Sequence, residues 1–140
     1  MVVHFYSMRW KIESYFKVLK SGCNIEKCRL ADGDRLKKYT ALFSIIAWRI
    51  YWMTFINRIN PEQSCESALT ENEWKTLDCY FNKNAKSTTD PPSINQAMVW
   101  LARLGGFLAR KNDGDPGPTY LWRGWSRLQD MAMMRELVIQ

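Results

Sequence analysis

The sequence has little of what a zinc-binding or exported protein needs. It contains one histidine, His4, and its four cysteines include no C-x-x-C pair. Structural zinc sites use four cysteine or histidine ligands, often in closely spaced pairs, so this composition argues against such a site. The first nine residues lack a charged segment followed by a long apolar stretch, and we expect no export signal. The cysteines are expected to be buried or partly buried free thiols in a reducing compartment.

The sequence also lacks the alternation of apolar and polar residues that marks β-strands, and it contains neither an internal repeat nor a low-complexity segment. Instead, 46% of its 140 residues are hydrophobic and 14% are aromatic. That is enough for one domain with a genuine core, or for pieces of two. Helical patterns cover approximately residues 2–20, 35–57, 71–81, 94–111 and 120–138. We therefore expect a mainly α-helical fold.

Capping residues and glycines predict several helix boundaries. Thr70–Glu73 and Ser93–Gln96 are capping boxes, each with a hydroxyl residue three positions before Glu or Gln. Thr119 is expected to cap the last helix. Gly105-Gly106 interrupts the fourth helix at a cost of roughly 1 kcal/mol per glycine, so we expect a kink or a close backbone contact there. Gly124 either permits close helix approach or is an ordinary weak point.

Charge is distributed unevenly along the chain. Residues 1–60 contain 11 Lys and Arg against 4 Asp and Glu, whereas residues 61–92 contain 3 against 6. The basic half is therefore the candidate for binding a polyanion. Residues 39–59 approach the length of a membrane span, but Arg49 lies near their middle, where insertion costs roughly 2.5–3.5 kcal/mol. We interpret this stretch as a buried helix of a soluble protein; a membrane protein is the alternative.

One edge of the first helix carries four functional side chains. With about 100° per residue, Tyr6, Arg9, Glu13 and Lys20 fall close together on the helical wheel. An apolar stripe of the kind that packs on a core lies beside this edge and consists of Phe5, Met8, Ile12, Tyr15, Phe16 and Leu19. Arg9 and Glu13 also have the spacing of a simple surface salt bridge, worth a few tenths of a kcal/mol. Periodicity alone leaves both interpretations open.

The spacing of these four residues matches the Tyr-Arg-Glu-Lys motif of the IS-four insertion-sequence family, and the surrounding chain resembles Tn5-like DNA transposases. The resemblance also includes Ala102 to Phe107 and Leu121 to Trp125, which look like family segments in family order. It extends over nearly the whole chain. The motif and its context together make a far more specific signal than four residues alone.

The resemblance implies that Glu13 is the last carboxylate of a DDE triad and that Tyr6, Arg9 and Lys20 contact DNA phosphates near the transposon ends. The first helix would derive from an RNase H-like catalytic domain whose sheet is missing from the sequence. In the complete enzyme the triad would hold Mg²⁺, or Mn²⁺ in its place, through carboxylate oxygens. Because the two catalytic aspartates have no counterpart here, we expect a truncated transposase that is inactive alone and binds no ion stably.

The resemblance further implies a helical C-terminal region that pairs subunits. Its candidate dimerisation residues are Trp122, Trp125, Gln129 and Met133. Aromatic and methionine side chains fill intramolecular cores equally well, so a core role is the alternative.

Three units are expected along the chain: catalytic-domain helices in 1–60, a linker with a short helix in 61–92, and the dimerisation region in 93–140. Expected partners are transposon-end DNA, in the complete enzyme, and another copy or an intact transposase. No membrane partner is expected, and the location would be the bacterial cytoplasm, with the nucleoid. The alternative function is a non-catalytic module that binds DNA or pairs with intact transposase and interferes with it.

Overall fold

The computed structural model describes residues 6, 8–83 and 89–139, which form five α-helices. They are α1 (Arg9–Lys17), α2 (Gly33–Ile59), α3 (Glu71–Asn82), α4 (Ile94–Leu104) and α5 (Pro118–Ile139). A π-helical turn, Val18–Gly22, continues α1, and two short 3₁₀ turns occur at Ile25–Lys27 and Cys65–Ser67. No β-strand is found within the described ranges. The prediction of a mainly α-helical fold is confirmed.

Local capping explains where α2, α3 and α4 begin. The Thr70 hydroxyl accepts a hydrogen bond from the Glu73 amide at 3.4 Å, and the Glu73 carboxylate accepts one from the Thr70 amide at 2.8 Å, so this capping box is confirmed. The Ser93 hydroxyl accepts from the Gln96 amide at 3.3 Å. Asp32 caps α2 in the same way, accepting from the Asp34 amide at 3.1 Å, so this helix begins two residues before its predicted start.

Two predicted boundaries are wrong. The fourth helix ends at Leu104 instead of continuing to residue 111, because Gly106 adopts a φ of +98° and the Phe107 amide donates back to the Ala102 carbonyl at 3.0 Å. This left-handed glycine closes the helix in a Schellman-type turn. Thr119 does not cap the last helix, since α5 already begins at Pro118, a residue suited to the first helical position.

The helices α4 and α5 cross at two glycines. A Cβ atom on Gly124 would overlap the carbonyl oxygen of Leu101, and one on Gly105 would overlap the carbonyl oxygen of Tyr120. The two backbones are therefore in direct contact, which confirms the close approach predicted at both glycines. Most of α4 is buried, and it packs against α2, α3 and α5.

The first helix differs from its prediction. Of its expected span, residues 2–5 and 7 lie outside the described residues, as do 84–88 of the predicted linker. The apolar stripe packs only at its end: Leu19 is buried and Tyr15 half-buried, whereas Ile12 and Phe16 are exposed. The Tyr15 hydroxyl donates to the Ser44 carbonyl of α2 at 3.2 Å. Within the described chain, no element covers the outer part of the stripe.

By length and composition α2 could cross a membrane, a test that the mostly buried core helix of a soluble protein also passes. The prediction of a buried helix is wrong for most of α2, because only 28% of its most apolar window is buried and one face, with Leu42, Ile45 and Trp48, is exposed. The mean hydropathy of α2 is only 1.2 and the helix carries Arg49. The Arg49 guanidinium forms a salt bridge of 2.8 Å with Glu73 of α3 and lies 4.3 Å from the centroid of the Trp125 ring in α5. The charge in this helix is thus directed into the protein.

Candidate nucleic-acid interface

Tyr6, Arg9 and Glu13 form a cluster on the exposed edge of α1. The Arg9 Nε donates to the Glu13 Oε1 at 2.7 Å, and the Arg9 Nη1 lies 3.5 Å from the Tyr6 hydroxyl. The Arg9 and Glu13 side chains are 62% and 61% exposed. With Trp10 they line a shallow depression of about 360 Å³. The structure thus brings three of the four motif residues together where a large ligand can reach them.

The contact between Arg9 and Glu13 is easily exchanged for another. Ion pairs between exposed side chains contribute at most about 1 kcal/mol, because water already solvates both charges. Two oxygens of a phosphate can accept from the planar guanidinium of Arg9 in the same bidentate way as a carboxylate, and a phosphodiester carries the same full negative charge. Arg9 can therefore release Glu13 and bind a phosphate at little cost.

Lys20 does not lie in this cluster, because the helix does not keep the regular rotation that the helical wheel assumes. It lies in the π-helical turn, where the Cys23 amide donates to the Val18 carbonyl at 3.0 Å, five residues back. This widened turn breaks the rotation of 100° per residue after Lys17. The Lys20 Nζ instead lies 3.2 Å from the Glu26 Oε1, and both side chains are exposed.

The π-helical turn is seated on the start of α5. A Cβ on Gly22 would stand 3.0 Å from the Pro118 Cβ, and the Thr119 hydroxyl donates to the Ser21 carbonyl at 3.2 Å. Cys23, which ends the turn, is buried, and burial raises the pKa of its thiol to about 11. All four cysteines are free, as predicted. The turn therefore fixes α1 to the C-terminal helix through tight packing.

The residues around Glu13 do not by themselves fit a two-ion metal site. Hard divalent ions need several oxygen ligands, and two-metal sites need carboxylates shared between ions. Across residues 6, 8–83 and 89–139, no three His, Cys, Asp or Glu side chains are grouped closely enough to hold a metal ion. Glu13 offers one carboxylate, and its neighbours are a cation and a phenol.

Three of the four candidate dimerisation residues contact this chain itself. Trp125 is only 2% exposed and lies against Arg49. The ring of Trp122 is 5.0 Å from that of Phe43, and the Gln129 amide donates to the Glu73 Oε1 at 2.7 Å. Trp125 has the core role that the sequence left as an alternative. Met133 is 64% exposed, and the structure records no ring contact or side-chain hydrogen bond for it among the described residues.

The last turns of α5 expose an apolar surface, which we call the α5 tip. It consists of Met133, Met134, Leu137, Val138 and Ile139, all of them exposed. A groove of about 780 Å³ runs beside it, between the end of α3 and α5, and contains Tyr80 and Met131. Contiguous exposed apolar side chains of this kind mark interaction surfaces.

Comparison with known protein families gives two matches that divide the chain. A family model described as the transposase Tn5 dimerisation domain matches residues 45–138, about two thirds of the chain. A second, described as the transposase DDE domain, matches residues 1–48 and includes the motif residues Tyr6, Arg9, Glu13 and Lys20. The two matches overlap within α2.

Proposed function

The chain belongs to the Tn5-like DDE transposases, and on that premise we propose that Glu13 is the last carboxylate of the triad and that Tyr6, Arg9 and Lys20 bind phosphates of transposon-end DNA. The observation that carries the proposal is the exposed cluster of Tyr6, Arg9 and Glu13, inside the segment that matches the DDE domain. Arg9 is the principal phosphate contact. Lys20 would exchange Glu26 for a phosphate.

The Mg²⁺ or Mn²⁺ of the complete enzyme would need ligands beyond Glu13, because one carboxylate cannot build a two-ion site. A polypeptide of these 140 residues, expressed alone, therefore neither cuts nor joins DNA and holds no ion stably. Metal-dependent nicking of DNA that carries the parent element's ends would contradict this, provided that a mock preparation shows none.

The role of Glu13 is tested in a complete transposase into which residues 6–20 of this chain have been grafted. Glu13→Gln should abolish strand cleavage while end binding, measured by gel shift, stays within about twofold. In a longer graft of residues 6–59, Asp34→Asn is the control, because this exposed carboxylate at the start of α2 pairs with Lys37, which is not a motif residue. Loss of both binding and cleavage in Glu13→Gln would mean that Glu13 supports the fold instead of the reaction.

We propose the functional units 1–60, 61–92 and 93–140. The first boundary is supported by the end of α2 at Ile59, whereas the two family matches meet inside that helix, at residues 45–48. The middle unit packs against the last one through hydrogen bonds. The Asn72 amide donates to the Ala132 carbonyl of α5 at 3.0 Å and to the Glu136 carboxylate at 2.9 Å.

A second candidate function is favoured by the α5 tip. We propose that it pairs with another copy or with an intact transposase, so that the chain lowers the activity of the intact enzyme in mixed pairs. Co-expression with an active, closely similar transposase tests this. Met133→Glu should relieve the inhibition, whereas Leu36→Glu, at an exposed apolar position in α2, should not. Inhibition that persists in Met133→Glu would show that the α5 tip is not part of the interface.

Both functions place the protein in the bacterial cytoplasm, with the nucleoid and without a membrane partner. The salt bridge of Arg49 with Glu73 supports this, because an α2 helix that crossed a bilayer would have to break it.

A further inference from the structure

A second concave site lies beside the Glu13 edge, and sequence reasoning missed it. It is a pocket of about 260 Å³ enclosed by α1, α2 and the segment 115–118 that leads into α5. Its walls are largely apolar and aromatic, and they include Trp10, Val18, Tyr51, Phe55 and Pro118. The basic side chains Lys17, from the end of α1, and Arg58, from the end of α2, also line it.

Neither cation has an ion-pair partner among the residues that the structure describes. Within the described residues, no salt bridge or side-chain hydrogen bond involves Lys17 or Arg58, in contrast to Lys20, which pairs with Glu26. Arg58 lines the pocket together with Tyr51. Burial raises the pKa of the Tyr51 phenol, and the charge of Arg58 opposes that rise. A third cation, the Lys11 Nζ, lies 5.6 Å from the centroid of the Phe55 ring.

The balance of charge around the pocket is positive. Asp115 is the one carboxylate among its lining residues, against Lys17 and Arg58. Apolar walls lower the local dielectric constant, so that the repulsion between two cations and the attraction of either for an anion are both stronger than in water. An anion bound between Lys17 and Arg58 would satisfy both.

The position of the pocket relative to Glu13 identifies the anion. Lys17 follows Glu13 by four residues, which is one helical turn and about 6 Å along the axis of α1. Since a DNA strand rises by about 3.4 Å per nucleotide, this separation corresponds to one or two nucleotides. A strand that crosses the Arg9–Glu13 edge therefore brings a neighbouring phosphate to Lys17.

We propose that Lys17 and Arg58 jointly bind one phosphate of the DNA strand that crosses the Glu13 edge, in the pocket between α1 and α2. This rests on the proposed function, because it requires that α1 contact DNA. Lys17 would reach the phosphate as a point charge and Arg58 through its planar guanidinium. The DNA-binding surface would then extend beyond the Tyr-Arg-Glu-Lys motif and onto α2.

The test uses the 140-residue chain and a fluorescently labelled 20-base-pair duplex, with binding measured by anisotropy across a range of salt concentrations. Lys17→Gln and Arg58→Gln should each weaken binding about tenfold and lower the salt slope by about one. Because both residues would hold the same phosphate, the double variant should lose no more than about one unit of slope. Lys37→Gln, an exposed lysine at the opposite end of α2 whose side chain is 84% exposed, is the charge-matched control.

The outcomes separate this proposal from the proposed function. If the wild type binds DNA and the two variants bind as tightly as Lys37→Gln, the pocket is not part of the interface and the proposal fails alone. A double variant that loses two units of slope would mean two separate phosphates and would overturn the shared site. Circular dichroism must show that each variant is folded.

A second measurement tests the anion site directly, in case the wild-type chain does not bind DNA. Titration with inorganic phosphate, followed by NMR of the indole proton of Trp10, reports on the pocket directly. If phosphate shifts the Trp10 indole resonance in the wild type but not in Lys17→Gln, the anion site is supported and only the proposed DNA binding fails. If no shift occurs either, both proposals fail.

Discussion

Arg49 of α2 and Glu73 of α3 form a bidentate ion pair, which Gln129 of α5 joins. The Arg49 Nη1 donates to the Glu73 Oε1 at 3.1 Å and its Nη2 donates to the Glu73 Oε2 at 2.8 Å. The same guanidinium donates to the Ala68 carbonyl at 3.1 Å, and Gln129 of α5 donates to Glu73. One carboxylate thus receives hydrogen bonds from both α2 and α5.

Removing this carboxylate should destabilise the fold. The Glu73 side chain is 6% exposed and that of Arg49 is 31% exposed, so Glu73→Ala leaves a partly buried cation without its counter-ion. We expect the free energy of unfolding to fall by about 2–3 kcal/mol, measured by urea denaturation. Glu71→Gln, on the exposed first turn of the same helix, should leave the midpoint unchanged. An equal loss in both variants would mean that the effect is not specific to the buried pair.

The same carboxylate should make stability depend on pH. Burial raises the pKa of Glu73, but hydrogen bonds from Arg49, the Thr70 amide and Gln129 outweigh it, so the net pKa in the folded state lies below the ordinary 4.5. A lowered pKa stabilises the fold above the unfolded-state value, and this contribution is lost as the pH falls through the folded-state value. The difference in unfolding free energy between wild type and Glu73→Gln should be constant above about pH 5.5 and shrink below pH 4.5.

The crossing of α4 and α5 should tolerate no side chain. Gly124→Ala places a Cβ against the Leu101 carbonyl, and because that atom belongs to a helix backbone, the two helices must separate. We expect a loss of about 3 kcal/mol or more, measured by thermal or urea unfolding. Gly33→Ala is the control, since nothing lies within 4 Å of its added Cβ. A Gly124→Ala protein as stable as this control would show that the helices are not in backbone contact.

Arg9 should contribute to DNA affinity without reading the sequence. A charge-assisted hydrogen bond contributes roughly 1.5–3 kcal/mol, so Arg9→Ala should weaken binding by about ten- to a hundredfold. Phosphates are the same at every nucleotide, and the loss should therefore be uniform across DNA sequences and accompanied by a salt slope lower by about one. Lys20→Ala should behave similarly but more weakly, because an ammonium binds phosphate as a point charge, without the bidentate contact of a guanidinium. Unchanged salt slopes in both variants would mean that Arg9 and Lys20 are ordinary solvated surface residues that do not contact DNA.

Local rules predicted much of the fold because the forces that decide it act over a few residues. The Thr70 capping box and the close approach at Gly105 and Gly124 follow from side chains that are present or absent at those positions. The end of the fourth helix was missed, since a pair of glycines can either bend a helix or terminate it. In the structure Gly106 adopts a left-handed conformation, and the helix ends there.

The parts of the site that the sequence did not predict depend on distant contacts. The π-helical turn is seated by Thr119, 98 residues after Ser21, and no local pattern contains that information. A helical wheel identifies the apolar face of Trp125 but not what covers it. The one signal for the α1–α2 pocket was Lys17, one turn after Glu13, and its partner Arg58 could be found only once α1 and α2 were seen to be neighbours.

The π-helical turn also determines how the chain can tolerate changes in length. Its hydrogen bond spans five residues instead of the four of an α-helix, so it contains one residue more than an ordinary turn. Deleting one residue between Val18 and Ser21 would replace this turn with an ordinary α-helical turn of about the same total rotation, because the wide turn rotates less per residue. Arg9 and Glu13 would then keep their direction, but the buried side chains of Val18 and Leu19 could not both keep their positions against the core. A single-residue deletion in this turn should therefore weaken the packing of α1 on α5 and leave the direction of the Glu13 edge unchanged.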